Sequence, residues 1–244
     1  MKDISWFVSI CANNGLKLTD GQAASFENYF QLLLSWNDRI NLISRKDESN
    51  FYPNHALNCV SFLFTKELEP EARILDLGTG GGLPGIPLKI IYENLNLTML
   101  DSITKKTMAL SDIVSCMHLD DAVVVTGRAE ELAKSPEFQG KFDYVITRAA
   151  GKLDDVIKWS HGFLGLNVPL AGEFKSPGSN IISKGNLIVL KGGTVDHEIK
   201  LARKIKFVES VEVEDIAFNG MDEIENKEKK LILVKYRTMP ERKN

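Results

Sequence analysis

The chain has 244 residues, 43% of them hydrophobic and 26% charged, the proportions of a soluble globular protein long enough to bury a real core. Against 33 acidic residues stand 30 lysines and arginines, a net charge of −3, so overall charge announces no nucleic-acid partner and any basic surface has to be local. Cys11, Cys59 and Cys116 are scattered without metal spacing, and no signal peptide or long apolar run appears, which points to a cytoplasmic protein away from the membrane.

Residues 1–68 carry helical patterns and no convincing strand. Thr19-Asp20 reads as an N-cap, after which Phe26, Tyr29, Phe30, Leu33, Leu34 and Trp36 recur at spacings of three and four along one apolar stripe. Core packing explains that stripe better than a base-stacking platform does. Trp36 to Leu42 closes the helix, with Arg39 inside it and Arg45 and Lys46 beyond, and a further helix is expected around His55 to Phe64. Residues 1–68 are thus expected to form an N-terminal helical cap, with a catalytic domain over 69–244.

From Ala72 onward short apolar runs alternate with helical stretches, the pattern of a doubly wound, mostly parallel sheet with helices on both faces. The first unit is Ile74-Leu75-Asp76-Leu77-Gly78-Thr79-Gly80-Gly81-Gly82-Leu83-Pro84-Gly85, a strand ending in a loop with five glycines within eight residues. Such a loop lets a bound molecule lie against bare backbone N–H groups. Gly80-x-Gly82-x-x-Gly85 matches the dinucleotide fingerprint, but it starts late. Asp76-x-Gly78-x-Gly80-x-Gly82 fits the strand end, and that register is the first motif of Rossmann-like methyltransferases that bind S-adenosylmethionine. On this reading the Asp76 carboxylate suits the ammonium and sulfonium of the cofactor.

The second strand, Leu97 to Leu100, delivers Asp101, 23 residues past Gly78, where a carboxylate accepts both ribose hydroxyls of an adenosine. The alternative for Asp101 is an N-cap for the helix beginning at Ser102. Lys105 and Lys106 on that helix are either phosphate contacts or a solvated pair. The third strand, Ala122 to Thr126, leads into Gly127-Arg128-Ala129-Glu130-Glu131, placed to face an adenine. The fourth, Phe142 to Thr147, presents Arg148, costly to bury without a carboxylate or phosphate partner. A helix over Leu153 to Phe163 and a long Gly/Pro/Ser/Asn-rich loop over 165–185, expected to be a lid or disordered, precede the fifth strand, Asn186 to Leu190, with Lys191 at its tip. A basic helix and an antiparallel pair, Phe207 to Asp215 and Lys230 to Tyr236, close the sheet, and Arg237 to Asn244 form a basic tail open to nucleic acid.

Together Trp36-Asn37…Asn41-Leu42, His55, the loop from Asp76 through Leu83-Pro84-Gly85-Ile86-Pro87-Leu88, Leu100-Asp101-Ser102…Lys105-Lys106, Arg128-Ala129-Glu130, Thr147-Arg148-Ala149 and Leu190-Lys191-Gly192 resemble, in order over nearly the whole chain, the bacterial small-subunit ribosomal RNA methyltransferase family RsmG, also called GidB. The resemblance implies a Rossmann-like class I methyltransferase with a seven-stranded sheet and an N-terminal helical extension. It implies methylation of N7 of one guanine in 16S ribosomal RNA, with Gly78, Leu83, Ala129, Glu130 and Arg148 as contacts to S-adenosylmethionine; Thr79, Gly80 and Asp101 complete the expected cofactor set. Two departures stand out. Asn58-Cys59 replace the usual Asp-Ser after the histidine, and the loop between Phe163 and Asn186 is long.

Guanine N7 carries a lone pair and no proton, so no catalytic base is expected, in keeping with four dispersed histidines. An Arg or Lys bidentate to O6 and N7 would cover the atom to be methylated. The guanine is therefore expected to be unstacked and read on its other edge by backbone groups or a carboxylate, with Lys191, Arg39, Arg45, Lys105 and Lys106 on phosphates. The expected assembly is a monomer with small-subunit RNA or its particle as partner. A methyltransferase for a small molecule or protein would lack a basic stripe beside the pocket; a nicotinamide-dependent oxidoreductase would bind the dinucleotide; a non-catalytic RNA-binding protein would need no cofactor.

Overall fold

The structure, a computed structural model, describes residues 2–148, 151–166, 180–225 and 228–237. Most of the expected lid over 165–185 and of the basic tail lies outside them. Seven strands form one sheet: β1 (Arg73–Leu77), β2 (Asn96–Asp101), β3 (Ala122–Thr126), β4 (Tyr144–Arg148), β5 (Asn186–Gly192), β6 (Val208–Asp215) and β7 (Lys229–Tyr236). Their order is β3-β2-β1-β4-β5-β7-β6. The first five run parallel, and β7 enters antiparallel between β5 and β6. Strand order reverses direction between β1 and β4, so ligands are expected at the carboxyl edge there.

Period-two alternation assigns the strand side chains to two cores. Ile74, Leu97, Met99, Tyr144, Ile146, Ile188 and Leu190 face one layer, and Leu75, Leu77, Leu100, Val145, Leu187 and Val189 face the other. The second layer is covered by α6 (Ala129–Leu132), α7 (Leu153–His161) and α8 (Asp196–Ala202). Over the first lie α1 (Ile4–Asn13), α2 (Asp20–Asn37), α3 (Leu57–Val60), α4 (Gly85–Ile91) and α5 (Thr104–Cys116). Residues 1–68 therefore share one apolar cluster with the sheet.

The aromatic stripe of α2 is core. Phe26, Tyr29 and Leu33 are fully buried, and Phe30 stacks on Phe51 with ring centroids 4.6 Å apart. Thr19 caps α2 through a reciprocal pair with Gln22, whose amide also donates to the carbonyls of Ile90 and Ile91 at the end of α4. At the other end Asn37, fully buried, receives the N–H groups of Leu42 and Ile43 and donates to Glu48, turning the chain. The helix expected around His55 to Phe64 is a helical path that changes pitch: a π turn over Tyr52–Ala56, α3, then a 3-10 turn over Ser61–Phe64. Residues Arg45–Asn50 add a 3-10 turn before it.

Candidate active site

Leaving β1, the chain enters the glycine loop, where Gly78 and Thr79 donate their N–H groups to the Leu100 carbonyl of β2 at 2.8 and 3.1 Å. Behind the loop there is no room: at Gly82, with φ +97°, an added Cβ would lie 2.7 Å from Ile86 and 2.9 Å from Leu110. In front there is: Gly80, at φ +57°, would present a Cβ to open space. Glycine at both positions lets the loop pack on one side and expose backbone on the other. The Tyr29 hydroxyl donates to the Gly81 carbonyl at 2.8 Å and ties the loop to α2.

The two strand-end carboxylates have different roles. Asp76 shares the face of Ile74, so it points beneath the loop and not toward a ligand. Its Oδ2 accepts from the Thr79 hydroxyl at 2.7 Å and the Gly85 N–H at 2.8 Å, and burial lifts its pKa to about 7. The expected pairing of Asp76 with the cofactor's positive charge is corrected accordingly: it is a buried staple of the loop. Asp101 ends β2 at the rim. One of its oxygens accepts from the Gly80 N–H at 3.0 Å and the other from the Ile103 N–H at 2.9 Å. The helix it precedes begins at Thr104 with Ile103 as its cap, so Asp101 is not an N-cap of a helix starting at Ser102.

Asp101 borders a cavity of about 320 Å³ whose lining also includes Leu77, Gly78, Ile103, Ala129 and Glu130. Each carboxylate oxygen keeps a lone pair for a ribose hydroxyl, the apolar Leu77, Leu100 and Ile103 suit a purine, and the backbone after β3 borders the far end. These residues fit an adenosine. Ser102, Lys106, Gly127, Arg128 and Trp159 complete the lining. Trp159 comes from α7, and no local pattern in the sequence marks it. Thr79 and Leu83 stand back from this cavity, Thr79 on Asp76 and Leu83 in the core.

Arg148, at the tip of β4, lines a second and wider cavity of about 510 Å³ on the other side of the switch point, with His55, Asn58, Lys191, Glu228 and Lys229 among its walls. Arg148 donates to His55 Nδ1 at 3.0 Å and, at 3.5 Å, to the Asn54 carbonyl exposed by the π turn. Arginine offers only donors, so Nδ1 is the acceptor and the ring hydrogen sits on Nε2. Burial and Arg148 push the His55 pKa down to about 4, against an opposing pull from Asp47, which keeps the ring neutral near pH 7. Burial likewise lowers Lys229 to about 8. Lys191 is held by Glu198 at 2.5 Å. His55 Nε2, Asn58 Oδ1 and Lys229 Nζ are buried without a hydrogen-bond partner among the described residues.

The remaining expected RNA contacts are dispersed. Arg39 lies over Trp36, Arg45 borders a shallow surface hollow with Asn41 to Ser44, Lys105 is exposed on the first turn of α5, and Lys106 reaches the adenosine-sized cavity.

The family model described as rRNA small subunit methyltransferase G, GidB, matches residues 22–169, more than half of the chain. This chain belongs to that family. The ribosomal RNA small subunit methyltransferase G of Clostridium novyi (strain NT) is 30% identical over 234 residues, covering 96% of this chain and 89% of the relative. That of Streptococcus suis (strain 05ZYH33) is 31% identical over 220 residues, covering 88% and 86%. Among solved structures, an O-methyltransferase from Bacillus cereus in complex with SAH superposes with a TM-score of 0.54 at 13% identity, over 95% of this chain and 99% of that one. The methyltransferase G family assignment and the shared fold agree with a Rossmann-like methyltransferase using S-adenosylmethionine, whose adenosine the smaller cavity fits.

Proposed function

We propose that this methyltransferase acts on N7 of a guanine in small-subunit ribosomal RNA. Family membership supports it, and the observation that carries it structurally is the pair of cavities flanking the switch point, an adenosine-sized one with a rim carboxylate and a wider one walled by Arg148, Lys191 and Lys229. S-adenosylmethionine, held by Gly78, Asp101 and the residues after β3, would supply an electrophilic methyl on its sulfonium for in-line transfer to the ring nitrogen, with sulfur keeping the electron pair of the broken carbon–sulfur bond.

The chain's own part is placement. Gly78 offers backbone to the adenosine side, Gly80 donates its N–H to Asp101 and holds the carboxylate that fixes ribose, and residues 127–130 close the purine end. Arg148 lines the wider cavity, and its hold on His55 and Asn54 fixes that wall. His55 is neutral and its Nδ1 is occupied, which suits a reaction that removes no proton from the nucleophile. Lys191 and Arg148 put positive charge where an RNA backbone would pass.

The test is transfer of labelled methyl from S-adenosylmethionine to small-subunit particles lacking the modification, followed by nucleoside analysis. The expected product is 7-methylguanosine at one position. Cofactor binding with no label in RNA would require another acceptor.

A further inference from the structure

The wider cavity holds an unusual concentration of unused hydrogen-bonding capacity. Burying polar atoms without partners is costly, on the order of 1–3 kcal/mol each, and proteins tolerate it where a ligand completes the set. Of the six buried side-chain atoms without hydrogen-bond partners among the described residues, three belong to residues that wall this one cavity: Asn58 Oδ1, Lys229 Nζ and His55 Nε2, the last lying 3.7 Å from the Asp47 carboxylate. The others are dispersed, on Ser61, Asp76 and His161.

Two of the three have a fixed character. The Asn58 amide nitrogen donates to the Asn54 carbonyl one turn earlier, which orients the side chain and leaves Oδ1 as a pure acceptor. The Lys229 ammonium is a pure donor; its residue is 7% exposed, and the ammonium lies 5.5 Å from the centre of the Phe218 ring.

Resting on the reaction proposed above, we infer that this cavity receives the acceptor base and that Asn58 and Lys229 select guanine over adenine. Asn58 Oδ1 accepts from the N1–H and 2-amino edge, and Lys229 Nζ donates to O6. Neither group covers N7. Adenine, whose N7 is equally bare, fails at both points: its N1 acceptor would face the Asn58 oxygen and its 6-amino donor the ammonium. A carboxamide oxygen thus takes the place expected of backbone groups or a carboxylate.

The experiment uses the intact protein and RNA in which the methylated guanine is replaced by inosine, which lacks only the 2-amino group, or by adenine. For the unaltered enzyme, kcat/KM should fall about tenfold with inosine and about a hundredfold or more with adenine. Asn58→Leu should lower kcat/KM on guanine about tenfold or more and abolish the guanine-over-inosine preference, with S-adenosylhomocysteine affinity unchanged. Asn58→Asp, which also loses the donor to Asn54 but keeps an acceptor, should retain the preference. Lys229→Met should lower the guanine-over-adenine ratio about tenfold.

Equal rates on guanine and inosine in the unaltered enzyme would overturn the assignment without any variant having to fold. So would an Asn58→Leu protein that loses cofactor affinity in step with activity, since that marks a structural role. Absence of methyl transfer to any RNA is a different failure: it removes the parent reaction, and this assignment with it.

Discussion

At the residue scale the two aspartates at strand ends decide how the site is built, and their difference is one of position along the strand: Asp76 pairs with Met99, so Asp101 shares its face but lies two residues further out. Asp101 is the last residue of β2 and reaches the rim; Asp76 stops one residue short of the end of β1 and points under the loop. The sequence places both at a strand's carboxyl end, but which of the two carboxylates the glycine loop covers is settled only by packing. Asp76 therefore makes a stability prediction. Its pKa is 3.8 in the unfolded chain and about 7 in the folded one, so the folded form holds a proton that the unfolded form has released between those values. The favourable contribution is full below the lower value and fades as pH rises through about 7. Asp76→Asn keeps an acceptor for Thr79 and Gly85 without a charge to bury. The variant's Tm relative to the unaltered protein should rise steadily from about pH 5 to about pH 8; a constant difference across that range would show that the buried carboxyl does not titrate there.

Among the elements, β1, β2, β4 and β5 were legible because each is a short, largely apolar run in which successive side chains are buried on opposite faces. The expected third strand coincides with β3, and the closing pair differs from β6 and β7 by one residue at its starts. The segment over 51–64 was harder, since apolar spacing identifies helical turns but not the hydrogen-bonding step, and here the step runs from π to α to 3-10. The link between α2 and α4 is also invisible to local patterns. Gln22 closes the capping box of α2 and donates to two carbonyls at the end of α4, 68 and 69 residues away. Gln22→Ala removes all of these at once, and a destabilisation of about 1–2 kcal/mol is expected in urea unfolding, more than a cap alone would lose. A loss below about 0.5 kcal/mol would mean that water replaces the amide at the end of α4.

For the whole molecule, the glycine loop and Asp101 made the adenosine side readable because they lie near one another in sequence. The wider cavity was not, because its walls come from residues 55, 58, 148, 191 and 229 and form no local motif. Lys191 belongs to both accounts: the sequence places it at a strand tip, and the structure shows its ammonium already shared with Glu198. Lys191→Ala should weaken binding to small-subunit RNA and reduce the slope of log affinity against log salt by about one, while S-adenosylhomocysteine affinity stays the same. An unchanged slope would confine Lys191 to its bond with Glu198. The sheet order carries a consequence in time. During synthesis β1 to β4 leave the ribosome before β7, and with them come Gly78, Asp101 and Arg148. Lys229 arrives with the strand that slots between two already made. On the assignments proposed above, the residues of the donor's seat are all made before the lysine that chooses the base, and substrate choice waits on that late insertion.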